Sequence, residues 1–169
     1  WCQKGWSTGS LATGAGTGGH ADGDTLSNIE NITGSAHDYT LTGNDENNIL
    51  IGGGGNDTIT TGTGTDEVIA GLGDDAITID GTGNKTIDGG AGTDSITINI
   101  ASHTTLTDFG ISYANDTFTF TDKSSNVISL KNLETYTIGS NSYVQWDDST
   151  INSGDGGANN SFWGSTEKL

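Results

Sequence analysis

An aliphatic residue recurs every nine positions between Gly34 and Thr97, and this period dominates the hydrophobic pattern of the chain. The residues on either side of it are polar or small, as Thr58 and Thr60 are beside Ile59. Such alternation predicts a short strand with one side chain pointing inward. The aliphatic residues stand at the eighth place of each nine-residue row and are Leu41, Leu50, Ile59, Val68, Ile77, Ile87 and Ile96.

Glycine is frequent at the first, second and fourth places of the rows, where it permits the positive φ angles of a tight turn. Each row therefore predicts one strand and one turn. A single row cannot bury its aliphatic residue, so rows must stack, two to a coil, around a thin ladder of Ile, Leu and Val. One extra residue, Ile79, interrupts the period. The pattern predicts an all-β solenoid over 34–97.

The sixth place of the rows carries the candidate chemistry. Because two rows complete a coil, sixth places of alternate rows should lie above one another, with Tyr39, Asp57, Asp75 and Asp94 on one side and Asn48, Asp66 and Lys85 on the other. Carboxylates stacked about 4.8 Å apart repel unless a cation lies between them. Turn carbonyls add further oxygen atoms, and an all-oxygen set of flexible geometry favours Ca²⁺ over Mg²⁺ or a transition metal.

We expect the strongest calcium sites at Asp57 with Asp75 and at Asp75 with Asp94. Asn48 with Asp66 predicts a weaker site, and beside Asp66 the ammonium of Lys85 is expected to replace the metal. The alternative is that these aspartates only solvate the turns of an ordinary solenoid. Their phase with the aliphatic residues favours calcium. The turn glycines expected to contribute carbonyls are Gly52, Gly54, Gly71, Gly73 and Gly89.

The rows GGGGNDTIT (52–60) and GGAGTDSIT (89–97) resemble the glycine-rich nonapeptide repeat of the RTX, or hemolysin-type, calcium-binding proteins. The resemblance implies a right-handed parallel β-roll with Ca²⁺ as its cofactor. It also implies type I secretion, so the expected location is extracellular or at the cell surface. Residues 34–97 carry the specific part of this resemblance.

The resemblance and the strand patterns divide the chain into five segments. Residues 19–33 are expected to form a cap through which the chain enters the roll, with Asp24 as a further candidate calcium ligand. Residues 98–151 are expected to form a C-terminal β cap, because four stretches alternate apolar and polar residues. The two ends are interpreted as an extended N-terminal arm (1–18) and a C-terminal tail (152–169).

The charge of the chain changes which partners are plausible. It has 22 acidic residues against five basic ones, for a formal net charge of −17. This balance argues against nucleic acid and anionic membranes as partners. No apolar stretch reaches the length of a transmembrane helix. Composition places the metal-free chain near the border of disorder, so metal affinity is expected to supply folding free energy.

Tryptophan is confined to the regions outside the roll. Trp1, Trp6 and Trp163 lie in the two terminal segments, and large aromatic residues are enriched at protein interfaces. We expect them to support self-association or contact with neighbouring subunits. Packing of the same residues onto the cap within one chain is the alternative.

No enzyme signature stands on a suitable scaffold. The zinc-protease motif H-E-x-x-H is absent, and the G-x-S-x-G match at 5–9 has neither a preceding strand nor a following helix. The chain is therefore expected not to be an enzyme. Three functions remain: a secreted structural or surface-assembly protein, the folding and secretion module of a larger hydrolase, toxin or adhesin, and an ice-binding solenoid. The third would need threonine at one place of every row, which the rows do not have.

Overall fold

The computed structural model describes residues 8–17, 24–103, 105–145 and 163–165 of the 169-residue chain. These residues form strands and one 3-10 turn at Leu106–Asp108. The strands are β1 (Thr8–Ser10), β2 (Ala15–Thr17), β3 (Asn31–Thr33), β4 (Thr40–Thr42), β5 (Ile49–Gly54), β6 (Thr58–Thr60), β7 (Asp66–Leu72), β8 (Ala76–Ile79), β9 (Lys85–Ala91), β10 (Ser95–Ile98), β11 (Phe109–Ala114), β12 (Thr117–Asp122), β13 (Val127–Lys131), β14 (Thr135–Ile138), β15 (Asn141–Gln145) and β16 (Trp163–Ser165).

Alternate strands of the repeat stack into two facing sheets. The first sheet has the order β16-β15-β14-β10-β8-β6-β4-β1-β2, and the second has the order β11-β12-β13-β9-β7-β5-β3. Within the repeat every neighbouring pair is parallel, with Leu41 opposite Ile59 in one sheet and Leu50 opposite Val68 in the other. The predicted all-β parallel roll, with two rows to a coil, is confirmed.

The core is the aliphatic ladder of the eighth places, and every member of it is at most 1% exposed. The residues that directly follow the ninth place of the rows also face inward, which was not predicted from the sequence. Thr61, Ala70 and Ile79 each have no exposed surface. Two inward positions per strand give the roll a wider core than a single ladder would.

The extra residue of the period lies in a turn and not at Ile79. Thr60 pairs with Thr78, an interval of 18 residues, and Ile79 continues the same strand in the core. Asp66 pairs with Lys85, an interval of 19 residues. The additional residue is therefore absorbed in the turn between Ile79 and Lys85, where it leaves the strands in phase.

The C-terminal cap continues both sheets. β13 runs parallel to β9 and β14 runs parallel to β10, so these two strands add one further coil. The antiparallel partners β12 and β15 then extend the two sheets beyond it. Four of its aromatic residues are buried, whereas Tyr113 is exposed; the buried ones are Phe109, Phe118, Phe120 and Tyr136. The cap thus covers the open end of the roll, where unpaired strand edges would invite aggregation.

The described part of the N-terminal segment differs from the predicted arm. Residues 8–17 form β1 and β2, and β1 lies parallel to β4 with Gly9 opposite Leu41. They extend the first sheet because a strand edge is available beside β4. Trp1 and Trp6 lie outside the described residues. The described residues also contain no helix with the length and apolarity that a membrane span needs.

Candidate metal centre

The coil places Asp57, Asp75 and Asp94 above one another in successive turns, and we call these three residues the aspartate column. Each carboxylate accepts a backbone N–H from the turn one coil earlier through its Oδ1. The donors are Tyr39 to Asp57 at 2.8 Å, Asp57 to Asp75 at 2.7 Å and Asp75 to Asp94 at 2.9 Å. All three aspartates are at most 2% exposed, so this stacking removes their carboxylates from water.

The second oxygen of each carboxylate in the aspartate column has no hydrogen-bond partner. Oδ2 of Asp57, Asp75 and Asp94 is buried and unsatisfied. Burial raises the pKa of Asp57 to about 6, and the charge of Asp75 adds to the rise while the N–H from Tyr39 opposes it. Burial likewise raises the pKa of Asp94 to about 6 and raises the pKa of Asp75. A buried carboxylate oxygen without a partner is costly, and a cation would remove that cost.

Carbonyl oxygens lie beside two of these unsatisfied atoms. A side chain on Gly52 would collide with Oδ2 of Asp57 and lie 2.5 Å from the carbonyl oxygen of Ala70. Gly52 does not have a positive φ, so glycine is required at this position because a side chain would collide with its neighbours, and not because of the backbone conformation. Ala70 holds the same first place one coil later and is fully buried. The unsatisfied oxygen of Asp57 and the carbonyl oxygen of Ala70 therefore lie close together beside Gly52, and Oδ2 of Asp94 has a carbonyl oxygen near it in the same way beside Gly89.

The other predicted glycines shape the turns. Gly71 and Gly73 adopt φ of 120° and 118°, a region that side chains rarely enter. Each packs on the carbonyl of the glycine one coil earlier, Gly53 and Gly55 respectively. Gly54 lies over Ala36, where an added side chain would find ordinary contact distances. Gly71 and Gly73 therefore permit the close stacking of turns that brings the carboxylates together, whereas position 54 has room for a side chain.

The opposite side of the roll carries Asn48, Asp66 and Lys85, which we call the lysine column. The ammonium of Lys85 lies 3.1 Å from Oδ2 of Asp66, and both side chains have no exposed surface. It also donates to the carbonyl oxygens of Gly64 at 2.7 Å and Thr82 at 3.0 Å. The ammonium is therefore surrounded by one carboxylate and two turn carbonyls, which is the all-oxygen environment expected for a bound cation.

Asn48 is already satisfied within its own turn. Its Oδ1 accepts the N–H of Asn44 at 2.8 Å, and its Nδ2 donates to Oδ1 of Asn44 at 3.1 Å. Its backbone N–H donates to Oδ1 of Asp66 at 2.9 Å, so the two residues are stacked as predicted. The side chain of Asn48 is hydrogen-bonded to Asn44, and Asp66 is paired with Lys85. Because both side chains already have partners, the geometry does not support the weaker calcium site predicted here.

Asp24 is not brought into either column. It is exposed, and its backbone carbonyl accepts the N–H of Gly16 at 3.4 Å. Among the residues that the structure describes, no three His, Cys, Asp or Glu side chains gather around one point. A calcium ion in the aspartate column would therefore depend on backbone carbonyls as well as carboxylates.

The aspartate column ends in different residues at its two ends. At the start, the hydroxyl of Tyr39 lies 2.8 Å from Oγ of Ser35, so an aromatic ring takes the place of a carboxylate. At the far end, Oε2 of Glu134 accepts the N–H of Asp94 at 2.6 Å. Glu134 was not predicted from the sequence, because it lies 40 residues from Asp94 and outside the repeat. Only the pairing of β14 with β10 brings the two together.

A second feature that the sequence reading missed is an array of threonines on the outer face of the first sheet. Alternate rows present threonine, serine or, once, alanine at the seventh and ninth places, in register from β4 to β14. We call this surface the threonine face, and its residues are Thr40, Thr42, Thr58, Thr60, Ala76, Thr78, Ser95, Thr97, Thr135 and Thr137. The array is seen only when every second row is compared, because the intervening rows belong to the other sheet.

Of the three tryptophans predicted to bind a partner, only Trp163 lies among the described residues. Trp1 and Trp6 lie outside the described residues, and Trp163 begins β16. The backbone of β16 pairs antiparallel with β15, with Trp163 opposite Gln145. This pairing within one chain favours, for residues 163–165, the alternative in which the C-terminal segment packs onto the cap.

Comparison with known proteins agrees with the geometry of the roll. A family model for the RTX calcium-binding nonapeptide repeat matches residues 42–77 and 79–97 in four copies. The matched stretches contain all of the aspartate column and all of the lysine column. No curated protein matches the chain.

Proposed function

Because this chain carries RTX calcium-binding repeats in a β-roll, we propose that it is a secreted protein whose roll folds on binding Ca²⁺ outside the cell. We further propose that it has a structural or surface-assembly role, as a matrix, filament or surface-layer subunit. The observation that carries the proposal is the aspartate column, where three buried carboxylate oxygens have no partner.

Calcium would act here as a folding ligand. Each uncompensated buried carboxylate costs several kcal/mol in effective desolvation free energy, so the metal-free roll has a lower free energy of unfolding. The formal charge of −17 adds repulsion throughout the chain. An ion that binds only the folded state contributes about 2.7 kcal/mol at a 100-fold excess over its dissociation constant. Two or three such ions would decide whether the roll folds.

The proposed location follows from the same coupling. Calcium is scarce in cytoplasm and abundant outside cells, so the chain would stay loose until it is exported. The sequence has no catalytic motif on a suitable scaffold, which supports a non-enzymatic role. In the alternative, the chain is the calcium-triggered folding and secretion module of a larger hydrolase, toxin or adhesin. The intact mass of the native polypeptide separates the two, because 17.3 kDa is expected for a free-standing protein.

A calcium titration followed by circular dichroism and sedimentation tests the proposal. We expect the strand signal to rise cooperatively with calcium and to fall again when a chelator is added. Magnesium at the same concentration serves as the control and should give little folding, because it tolerates irregular oxygen sites poorly. A strand signal that is unchanged by chelation would contradict calcium-coupled folding. Sedimentation of a monomer at all calcium concentrations would contradict the assembly role alone.

The threonine face supports a second candidate function, which is binding to ice. Its residues repeat about every 4.8 Å between strands and about 6.7 Å along each strand, as strand geometry requires. The face carries no charge in a chain of net charge −17 and no large apolar residue of the kind that protein interfaces use. A regular, uncharged array of hydroxyl and methyl groups suits an ordered, uncharged lattice such as ice.

Thermal hysteresis measured in calcium tests this second function. The substitution Thr78→Tyr places a bulky ring at the centre of the threonine face and should abolish any hysteresis. The matched control is Thr86→Tyr on the outer face of β9, which belongs to the other sheet and should leave hysteresis unchanged. A folded wild-type protein without hysteresis would contradict ice binding and leave the calcium proposal untouched.

A further inference from the structure

The last level of the aspartate column lies at the junction between the roll and the C-terminal cap. Asp94 is 1% exposed, and its Oδ2 is buried without a hydrogen-bond partner. The cap supplies the next carboxylate of the column, because β14 pairs with β10 in register and Glu134 follows in line with Asp94. Oε2 of Glu134 accepts the N–H of Asp94 at 2.6 Å, as Asp75 and Asp94 do for the levels below them. Glu134 therefore continues the column beyond the repeat.

The cap also supplies a carbonyl oxygen to the same place. Asn132 has φ of 52°, a left-handed conformation that is uncommon for a residue with a side chain. Its Nδ2 donates to Oδ1 of Asp88 at 2.7 Å, which holds this conformation. A side chain on Gly89 would collide with the carbonyl oxygen of Asn132 and lie 2.7 Å from Oδ2 of Asp94. The carboxylate oxygen and the carbonyl oxygen thus lie close together beside Gly89, where no side chain fits.

This arrangement repeats the one found inside the roll. Beside Gly52, Oδ2 of Asp57 likewise lies close to a carbonyl oxygen from the next coil, that of Ala70. At the junction, the carbonyl oxygen of Asn132 in the cap occupies the position equivalent to that of the Ala70 carbonyl oxygen. Carboxylate and carbonyl oxygens in a flexible arrangement are the ligands that Ca²⁺ prefers in proteins.

We propose that a calcium ion binds at this junction, held by the carboxylate of Asp94 and the backbone carbonyl of Asn132, with the charge of Glu134 completing the site. The ion fastens the cap to the roll, because it neutralises two carboxylates that would otherwise repel across the boundary. The proposal rests on the calcium function of the roll and extends it to residues outside the repeat. The cap then docks only when calcium is present.

The test uses the full chain with Glu134→Gln, which keeps an oxygen to accept the N–H of Asp94 and removes the charge. Calcium is counted by titration calorimetry, and hydrogen exchange is followed over β13 and β14. We expect one ion to bind about 10–100-fold more weakly, as is typical when a group that supports a metal site is lost. Calcium protection of β13 and β14 should fall while that of the roll strands persists.

Two matched variants sharpen the result. Glu67→Gln makes the same chemical change on the exposed outer face of β7 and should alter neither ion count nor exchange. Glu134→Asp keeps the charge and should retain the ion. Unchanged calcium affinities and unchanged cap protection in Glu134→Gln would overturn the junction site alone, provided the wild type binds calcium. A wild type that binds no calcium would overturn both this site and the proposed function.

Discussion

The two turn columns of the roll are built from the same nine-residue period but solve the problem of buried charge in opposite ways. In the aspartate column, three stacked carboxylates each keep one buried oxygen without a partner. In the lysine column, the ammonium of Lys85 lies 3.1 Å from Asp66 and also binds two turn carbonyls, while Asn48 replaces a carboxylate with a satisfied amide. One side therefore needs a cation from solution, and the other carries its own.

The comparison teaches what the turns are shaped to hold. Lys85 places a positive charge among the same kinds of oxygen atoms that the aspartate column leaves open, and it does so within a backbone that remains in register. A covalently attached cation cannot dissociate when calcium falls. The lysine column is thus expected to keep its contacts under conditions in which the aspartate column loses its ions.

The largest expected effect comes from removing the attached cation. Lys85→Met leaves Asp66 buried with no positive partner, and breaking a buried ion pair in this way typically costs about 3–5 kcal/mol. Urea unfolding at a calcium concentration that just saturates the wild type measures the loss. Raising calcium far above that level should recover part of it, as an ion takes the place of the ammonium.

Lys131→Met is the control for that experiment. Its ammonium lies 2.7 Å from Asp88, but its side chain is 47% exposed, and exposed pairs contribute about 1 kcal/mol or less. Equal losses in the two lysine variants would contradict a special role for the lysine column.

The next effect comes from removing one charge of the aspartate column. Asp75→Asn keeps the oxygen that accepts the N–H of Asp57 and should cost about 2.7 kcal/mol for a lost calcium site at 100-fold excess calcium. In chelator the sign should reverse, with more strand signal than wild type, because an uncompensated buried charge has gone. Calcium midpoints from circular dichroism measure both.

Asp74→Asn is a matched control for Asp75→Asn. Asp74 is the preceding residue, and its Oδ1 accepts the N–H of Thr93 at 2.8 Å, but it is exposed. The same change there should move the calcium midpoint little. If both variants shifted the midpoint equally, the effect would reflect net charge and not the column.

The smallest effect is a pH dependence that distinguishes protons from calcium. Burial raises the pKa of Asp57 and Asp94 to about 6, above the ordinary value of about 3.9, so between these limits the folded chain holds more protons than the unfolded chain. In chelator, folding should therefore be favoured at low pH and lost as the pH rises through about 6. In calcium the trend should reverse, because protons and calcium compete for the same carboxylates.

Circular dichroism in chelator at pH 5 and pH 7.5 measures this dependence. The double variant Asp57→Asn with Asp94→Asn should flatten it, since an amide does not titrate. A dependence that is the same in the variant would assign it to the many exposed carboxylates of the chain.

Sequence reasoning worked best where one local rule repeats. The aliphatic residues of the eighth place, the sixth-place aspartates and the position of Lys85 all follow from the period, and the structure places them in two columns as that period predicts. It failed where distant segments meet. Glu134 and Asn132 carry no signal in their own neighbourhood, and their part in the column exists only because β14 continues the first sheet.

The period by itself also misled at two points. The threonine face is not apparent when consecutive rows are compared, because only every second row belongs to the same sheet. Counting residues placed the extra residue at Ile79, whereas burial of Ile79 in the core forces the irregularity into the following turn. Strands in a packed core cannot slip by one residue without turning their apolar side chains to solvent, but a turn can lengthen freely.

The nine-residue period of this chain determined its roll, its two columns of turns and the identity of the residues that meet there, because a strand and a tight turn are local structures set by local residues. The tertiary structure alone decided which oxygens remain unpaired, which side neutralises itself, and which cap residues close the column. Those outcomes depend on how far atoms from different coils lie from one another, and no local pattern contains that distance.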